Sequence, residues 1–282
     1  MLTTIIMKTS TIKIALFTAV MTLASAKAQT SLVGTGSSYD SIFSGPDEIT
    51  YDVPGVGGIL NLNLSNGFDT KTSGIWNLRA QGGANTSILG FGLFESAAQT
   101  SLTGTQLEFN ISNDNNTLLG LLGVGPSLHY GWQATATFGT LSYTSFTTYH
   151  VSFEMDGNNG LLSSVVGLNP GFGFELLDGS GNPLLSNGSG TLVNIAGLLG
   201  TGVTSGTVEV DYTVAGSAPA GAIGIRFTGD ATLGATALGL GTGFATISNV
   251  NITASPVPEP GSGFLVAALG AAVLLRRRRL QS

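Results

Sequence analysis

Apolar and polar residues alternate along run after run of this chain, and a period of two suits one backbone, the half-buried β-strand. Leu60 to Ser65 shows it, as do Leu107 to Ser112, Val151 to Asp156, Val208 to Val214 and Ile223 to Thr228. Trp76, Leu78 and Ala80 continue the pattern, and so do Tyr130, Trp132, Ala134, Ala136 and Phe138. Between the runs stand turn-forming clusters: Asp156-Gly157-Asn158-Asn159-Gly160, the stretch from Asp178 to Pro183, and Asn187-Gly188-Ser189-Gly190. Gly and Asn reach positive φ cheaply, as tight hairpins require. Many short strands with no 3.6-residue periodicity predict an all-β fold, an antiparallel β-sandwich of jelly-roll type. The last strand is expected over Thr246 to Thr253, and residues 158–205 as a long loop excursion over the sandwich.

Composition agrees. Glycine supplies 42 of 282 residues and charged residues only 9%, a balance that disfavours long helices and charged disorder while leaving enough apolar material for a core. The absence of cysteine removes thiol catalysis, Cys-based zinc sites and c-type haem. Charge is unevenly placed. Between residues 29 and 255 only Lys71, Arg79 and Arg226 are basic, against fifteen acids, a net −12 that the formal −6 of the whole chain conceals. So acidic a body lacks the basic footprint that nucleic acid needs.

The two ends read differently from the body. Lys8 and Lys13 precede the apolar stretch from Ile14 to Leu23, and Ala26-Lys27-Ala28 fits an A-x-A cleavage site. Residues 1–28 therefore predict a signal peptide cut before Gln29, which requires the secretory translocon and signal peptidase. At the other end, Val257, Pro258, Glu259 and Pro260 are followed by an apolar run from Gly261 to Leu275 and by Arg276, Arg277, Arg278 and Arg279. Prolines hold a junction extended. The apolar run predicts a short transmembrane helix, and the arginines a cytoplasmic stop. Fifteen residues span roughly 22 Å, short of the roughly 30 Å hydrocarbon core, which suits a temporary tether better than a permanent anchor. The division is thus signal peptide 1–28, exported domain 29–255 and tail 256–282.

This tail resembles the PEP-CTERM sorting signal of bacteria, in which Val-Pro-Glu-Pro, a short membrane segment and a basic cluster close the chain. The resemblance implies a substrate of an exosortase, an integral-membrane protease or transpeptidase. It also implies anchoring in the inner membrane, then release to the cell surface or the exopolysaccharide matrix. Residues 257–260 and 276–279 would serve as a recognised address and not as a catalytic site.

Within the body, chemistry-bearing residues are sparse. Trp76, Tyr130 and Trp132 are candidates for an aromatic platform under sugar rings, though such residues more often fill cores. Asp178, Ser180 and Asn182 stand at alternate positions like the start of a calcium loop, while Ser189 occupies the place where an EF-hand supplies glutamate; plain Asx turns are the competing reading. No other cofactor is expected. His129 and His150 would meet if their strands were neighbours. Glu154 with Asp156, and Glu209 with Asp211, share strand faces as a glycosidase's carboxyl groups would, without a specific spacing. No nucleotide loop, nucleophile elbow or His-Glu-x-x-His motif occurs,. The expectation is a non-enzymatic structural or adhesive protein of the cell envelope. The alternatives are a carbohydrate-binding jelly-roll module and a secreted glycoside hydrolase.

Overall fold

Alternation decides which face of each strand is buried. In the computed structural model, which describes residues 29–55, 60–88, 91–114, 128–156, 171–184, 193–194, 205–233 and 243–257, the runs become antiparallel strands, and among the described residues there is no helix. In chain order they are β1 (Thr30–Val33), β2 (Pro46–Thr50), β3 (Leu60–Ser73), β4 (Trp76–Ile88), β5 (Phe91–Thr103), β6 (Gln106–Asp114) and β7 (Leu128–Ser142). After these come β8 (Thr147–Asp156), β9 (Gly171–Leu177), β10 (Val193–Asn194), β11 (Ser205–Val214), β12 (Ala222–Leu233) and β13 (Gly243–Pro256). The predicted signal peptide, the span 261–275 and the arginine block lie outside the described residues. So does most of 158–205, but β9 corrects the expectation of a loop there, because it pairs along its whole length with β12, from Gly224↔Leu177 to Asp230↔Gly171.

All the strands belong to one hydrogen-bonded sheet, ordered β10-β9-β12-β7-β4-β5-β6-β13-β8-β11, with β3 on β4, β2 on β5 and β1 on β13. The sheet is curled. Phe153 on β8 lies 5.0 Å, ring to ring, from Phe174 on β9 and 5.1 Å from Phe227 on β12, although β8 and β9 stand near opposite ends of the strand order. Only a sheet folded back over itself brings them together, so the two halves face each other as the layers of a sandwich.

The fold line runs through β4. Trp76 to Gln81 pair with β7, whereas Gly83 to Ile88 pair with β5. At the switch stands Gly82, with φ +85°, where a Cβ would lie 2.0 Å from the carbonyl oxygen of His129. Only glycine fits there, for it alone combines that backbone angle with so close an approach.

Between the layers lie Trp76, Leu78, Phe109, Tyr130, Trp132, Phe138, Phe153, Phe174, Ile225 and Phe227, all at most 2% exposed. Offset and edge-on ring contacts link them, among them Phe109 with Trp132 at 6.2 Å and Phe43 with Trp76 at 5.5 Å,. On the outward faces the alternate residues pair with each other. The guanidinium of Arg226 on β12 binds the carboxylate of Glu175 on β9, with Nε 2.5 Å from Oε2, and Arg79 stacks 3.9 Å above the ring of Phe68,.

Candidate functional site

Two places in the body carry more than core packing. The first is where the chain leaves it. β13 runs between β6 and β8 and also takes β1, and at its end Pro256 aligns with Thr147, the first residue of β8. The amide of Val257 then donates to the carbonyl of Phe146, in the β7–β8 turn, at 2.7 Å. The other end of the described chain is beside it, since Thr30 aligns with Ala254 and the Gln29 carboxamide bonds the Thr253 hydroxyl. Residues 257–260 of the tail therefore start at the last hydrogen bond of the sheet, with no linker before them.

The second is a polar cleft of about 730 Å³ beside the start of β1, lined among others by Ser31, Asp40, Glu154, Thr207, Asn249 and Asn251. A bulge shapes it. The β13–β8 register slips between Ser248 and Asn251, and Asn249 takes φ 52°, a left-handed conformation that Asn tolerates better than most residues. Its carboxamide then donates to Glu154 Oε2 at 2.7 Å. Gly34 passes so close that a Cβ there would stand 2.9 Å from Asn251 Oδ1.

The residues singled out for a sugar platform do not line either place. Trp76, Tyr130 and Trp132 are 1–2% exposed. Their polar atoms are spent inside: Trp76 Nε1 donates to the Ile42 carbonyl at 2.7 Å, Trp132 Nε1 to that of Asn110 at 2.8 Å, and the Tyr130 hydroxyl pairs with Ser96 Oγ at 2.9 Å. They are core residues, and burial pushes the Tyr130 hydroxyl up to about 12 in spite of its Ser96 partner,.

Asp178, Ser180 and Asn182 form an Asx turn in place of a calcium loop. Asp178 Oδ1 accepts the amides of Ser180 and Asn182, both at 2.8 Å, and Oδ2 accepts the Asn182 carboxamide at 3.1 Å. Donors, where a cation would need oxygens, occupy the carboxylate, and they hold it below its ordinary value, the Asn182 amide most of all. Among the described residues no three His, Cys, Asp or Glu side chains stand close enough together to hold a metal ion.

The histidines do not meet, because β7 and β8 lie in different halves of the sheet. His150 Nδ1 instead stands 2.6 Å from Asp211 Oδ1 across the β8–β11 ladder. The same ladder does bring the two carboxylate pairs together, since Glu154 aligns with Thr207 and Glu209 with Ser152, all on one outward face. Sequence reasoning missed Asn249. Its signal was present: the apolar residues Ile247, Val250 and Ile252 are spaced by three and then two, which marks an extra residue in the strand.

Residues 256–279 match the family model of the PEP-CTERM protein-sorting motif. The chain ends in a PEP-CTERM tail. The match covers the tail alone, and no curated protein matches the chain. Among solved structures, a cyclase from Fischerella sp. TAU is similar at 13% identity, covering 75% of this chain and 99% of its own, with a TM-score of 0.31. A family 11 carbohydrate-binding module from Clostridium thermocellum, solved with a mixed-linked β-1,3-1,4 tetrasaccharide, is similar at 11% identity, covering 73% and 94%, with a TM-score of 0.22. Likenesses this distant carry nothing about activity. Among the described residues no helix is long and apolar enough to cross a membrane.

Proposed function

We propose that this protein is an exported structural or adhesive component of the cell envelope or extracellular polysaccharide matrix, without enzymatic activity. It passes through the secretory translocon, loses residues 1–28 to signal peptidase, and is held in the inner membrane by its PEP-CTERM tail until an exosortase acts on residues 257–260. The observation that carries this reading is the sorting motif, joined without a linker to the last strand of an all-β body. A non-enzymatic role is supported by the state of the carboxylates. Asp156, Glu209 and Asp211 stand on exposed strand faces, and Glu154, also exposed, accepts the Asn249 carboxamide. Among the described residues the one buried carboxylate, Glu175, is paired with Arg226. Deleting Pro258 to Pro260 and following mature mass and cell fractionation tests the proposal. Retention in the inner membrane with unprocessed mass is the expected result, and unchanged delivery with unchanged mass would refute it.

A second reading, a carbohydrate-binding module, draws support from the cleft. Carboxamides, hydroxyls and a carboxylate from β1, β8, β11 and β13 converge on it, and a cavity of this size accommodates a short glycan. Binding of the full chain to arrayed polysaccharides, abolished by Asn249→Ala with Glu154→Ala, would favour it. No binding at high protein concentration leaves the structural role alone.

A further inference from the structure

The turn that holds the exit of the tail also presents an aromatic ring. Phe146 is 37% exposed and has φ 53°, a left-handed angle at which a bulky residue is an outlier and where Gly or Asn would be expected. The turn keeps that shape through its own bonds: Thr147 Oγ1 donates to the Ser145 carbonyl at 3.2 Å, Thr144 and Thr147 hydroxyls pair at 2.8 Å, and the Phe146 carbonyl takes the Val257 amide. Phe146 is not part of the buried core cluster, so its presence at a strained position calls for another contact.

We infer that the end of the sandwich formed by this turn is a lipid-contact surface, with Phe146 seated in the membrane interface while the tail is uncleaved. The inference rests on the sorting reading of the tail. Chain length argues for it. Val257 is bonded to Phe146, and Gly261 opens the apolar run, so four residue steps of at most ~3.6 Å put Val257 no more than about 14 Å from the start of the span, with Phe146 one backbone hydrogen bond, about 5 Å, further. The headgroup zone is itself roughly 5–8 Å deep on each side, and aromatic rings concentrate there.

Charge argues the same way. Val214 aligns with Thr147 and Ala222 with Ser142, so the connection Ala215-Gly216-Ser217-Ala218-Pro219-Ala220-Gly221 flanks the turn, and it carries no charge. Through the bond from the Gly179 amide to the Ala220 carbonyl it meets the 178–182 loop, whose Asp178 is the one residue of these three segments charged at neutral pH. A body of net charge −12 thus presents loops with a single charge among them at the end where its chain leaves for the tail.

Quenching in proteoliposomes tests this with the full chain. Phe146→Trp is compared with Phe68→Trp, which replaces the exposed ring on β3 whose partner Gln81 aligns with Gly131, at the other end of β7 from the turn. With lipids brominated near the headgroup, the emission added by Phe146→Trp should fall about twofold or more, as for an interfacial aromatic, while that added by Phe68→Trp should not. Unquenched added emission from Phe146→Trp in chains that float with the vesicles overturns the inference while sparing the tail reading, and equal quenching in both variants overturns it as well. Chains that fail to float overturn the tail reading and the inference with it. Phe146→Gly, which suits the backbone angle, should float and keep its thermal midpoint. A large loss of stability there would make the ring a structural element and refute the lipid contact.

Discussion

Replacing Tyr130 by phenylalanine separates a core tyrosine from a ligand platform, because the two roles respond oppositely to pH. At neutral pH the variant loses one buried hydrogen bond, to Ser96 Oγ, and should be less stable by about 1 kcal/mol. On the alkaline side the sign changes. The folded value is about 12 against an ordinary 10.0, so the stability tied to the neutral hydroxyl is fully present below pH 10 and is lost as the pH rises towards 12. At pH 11 an unfolded tyrosine is about ten-elevenths ionised and the buried one about one-eleventh, which makes the wild type less stable than at pH 7 by about 1.4 kcal/mol from this residue alone. The variant has nothing to ionise at this position. Urea titrations of both proteins at pH 7 and pH 11 give the difference, and the effects of the other tyrosines cancel because both chains share them. The gap of about 1 kcal/mol favouring wild type should close and reverse slightly. A gap that stays constant between the two pH values would refute the burial argument, and any loss of polysaccharide binding on this substitution would restore the platform.

Gly82→Ala should cost more than about 3 kcal/mol, since the left-handed angle alone costs roughly 1–2 and the new Cβ would meet the backbone carbonyl of His129; a thermal midpoint within a few degrees of wild type would show that β4 turns elsewhere. Arg226→Met strands the buried carboxylate of Glu175 and should cost about 3–5 kcal/mol by urea unfolding, most of it recovered in the double variant with Glu175→Leu. Asp178→Asn should narrow its stability difference from wild type as the pH falls below 3.8, because the folded carboxyl is depressed by the Asn182 amide and its contribution is lost only as it protonates; acid titration followed by circular dichroism checks this.

The fold class was legible because both alternation and turn chemistry are local. In β8 the expected order survives as buried residues Val151, Phe153 and Met155 between exposed or half-buried Ser152, Glu154 and Asp156. β5 was less visible: Ser96, Ala97 and Ala98 are all buried, so consecutive small residues are covered on both faces there and no polar alternation marks the strand. β11 erred the other way. Its alternation from Val208 to Val214 is clear, but as a terminal strand of the described sheet it leaves Val210 and Tyr212 half-buried. The face assignment of the aromatics was recoverable. Arg79 and Gln81 alternate with Trp76, Leu78 and Ala80, and Gln133 and Thr135 with Trp132 and Ala134, so the charged and amide side chains had already claimed the outward face. What no local pattern holds is partnership. That His150 meets Asp211 rather than His129, and that Glu154 meets Asn249, depends on strand order across residues far apart in sequence.

Among the described strands β13 is made last, and it belongs in the interior of its half of the sheet, where it pairs with β6, with β8 and with β1 more than 200 positions earlier. A chain emerging from its N-terminus must therefore keep a gap between β6 and β8 until its final segment arrives, and contacts of such span form slowly. The same final segment delivers the sorting address. A product terminated before β13 lacks both its keystone strand and the sorting motif, so completion of the sheet and the motif are encoded within one short stretch.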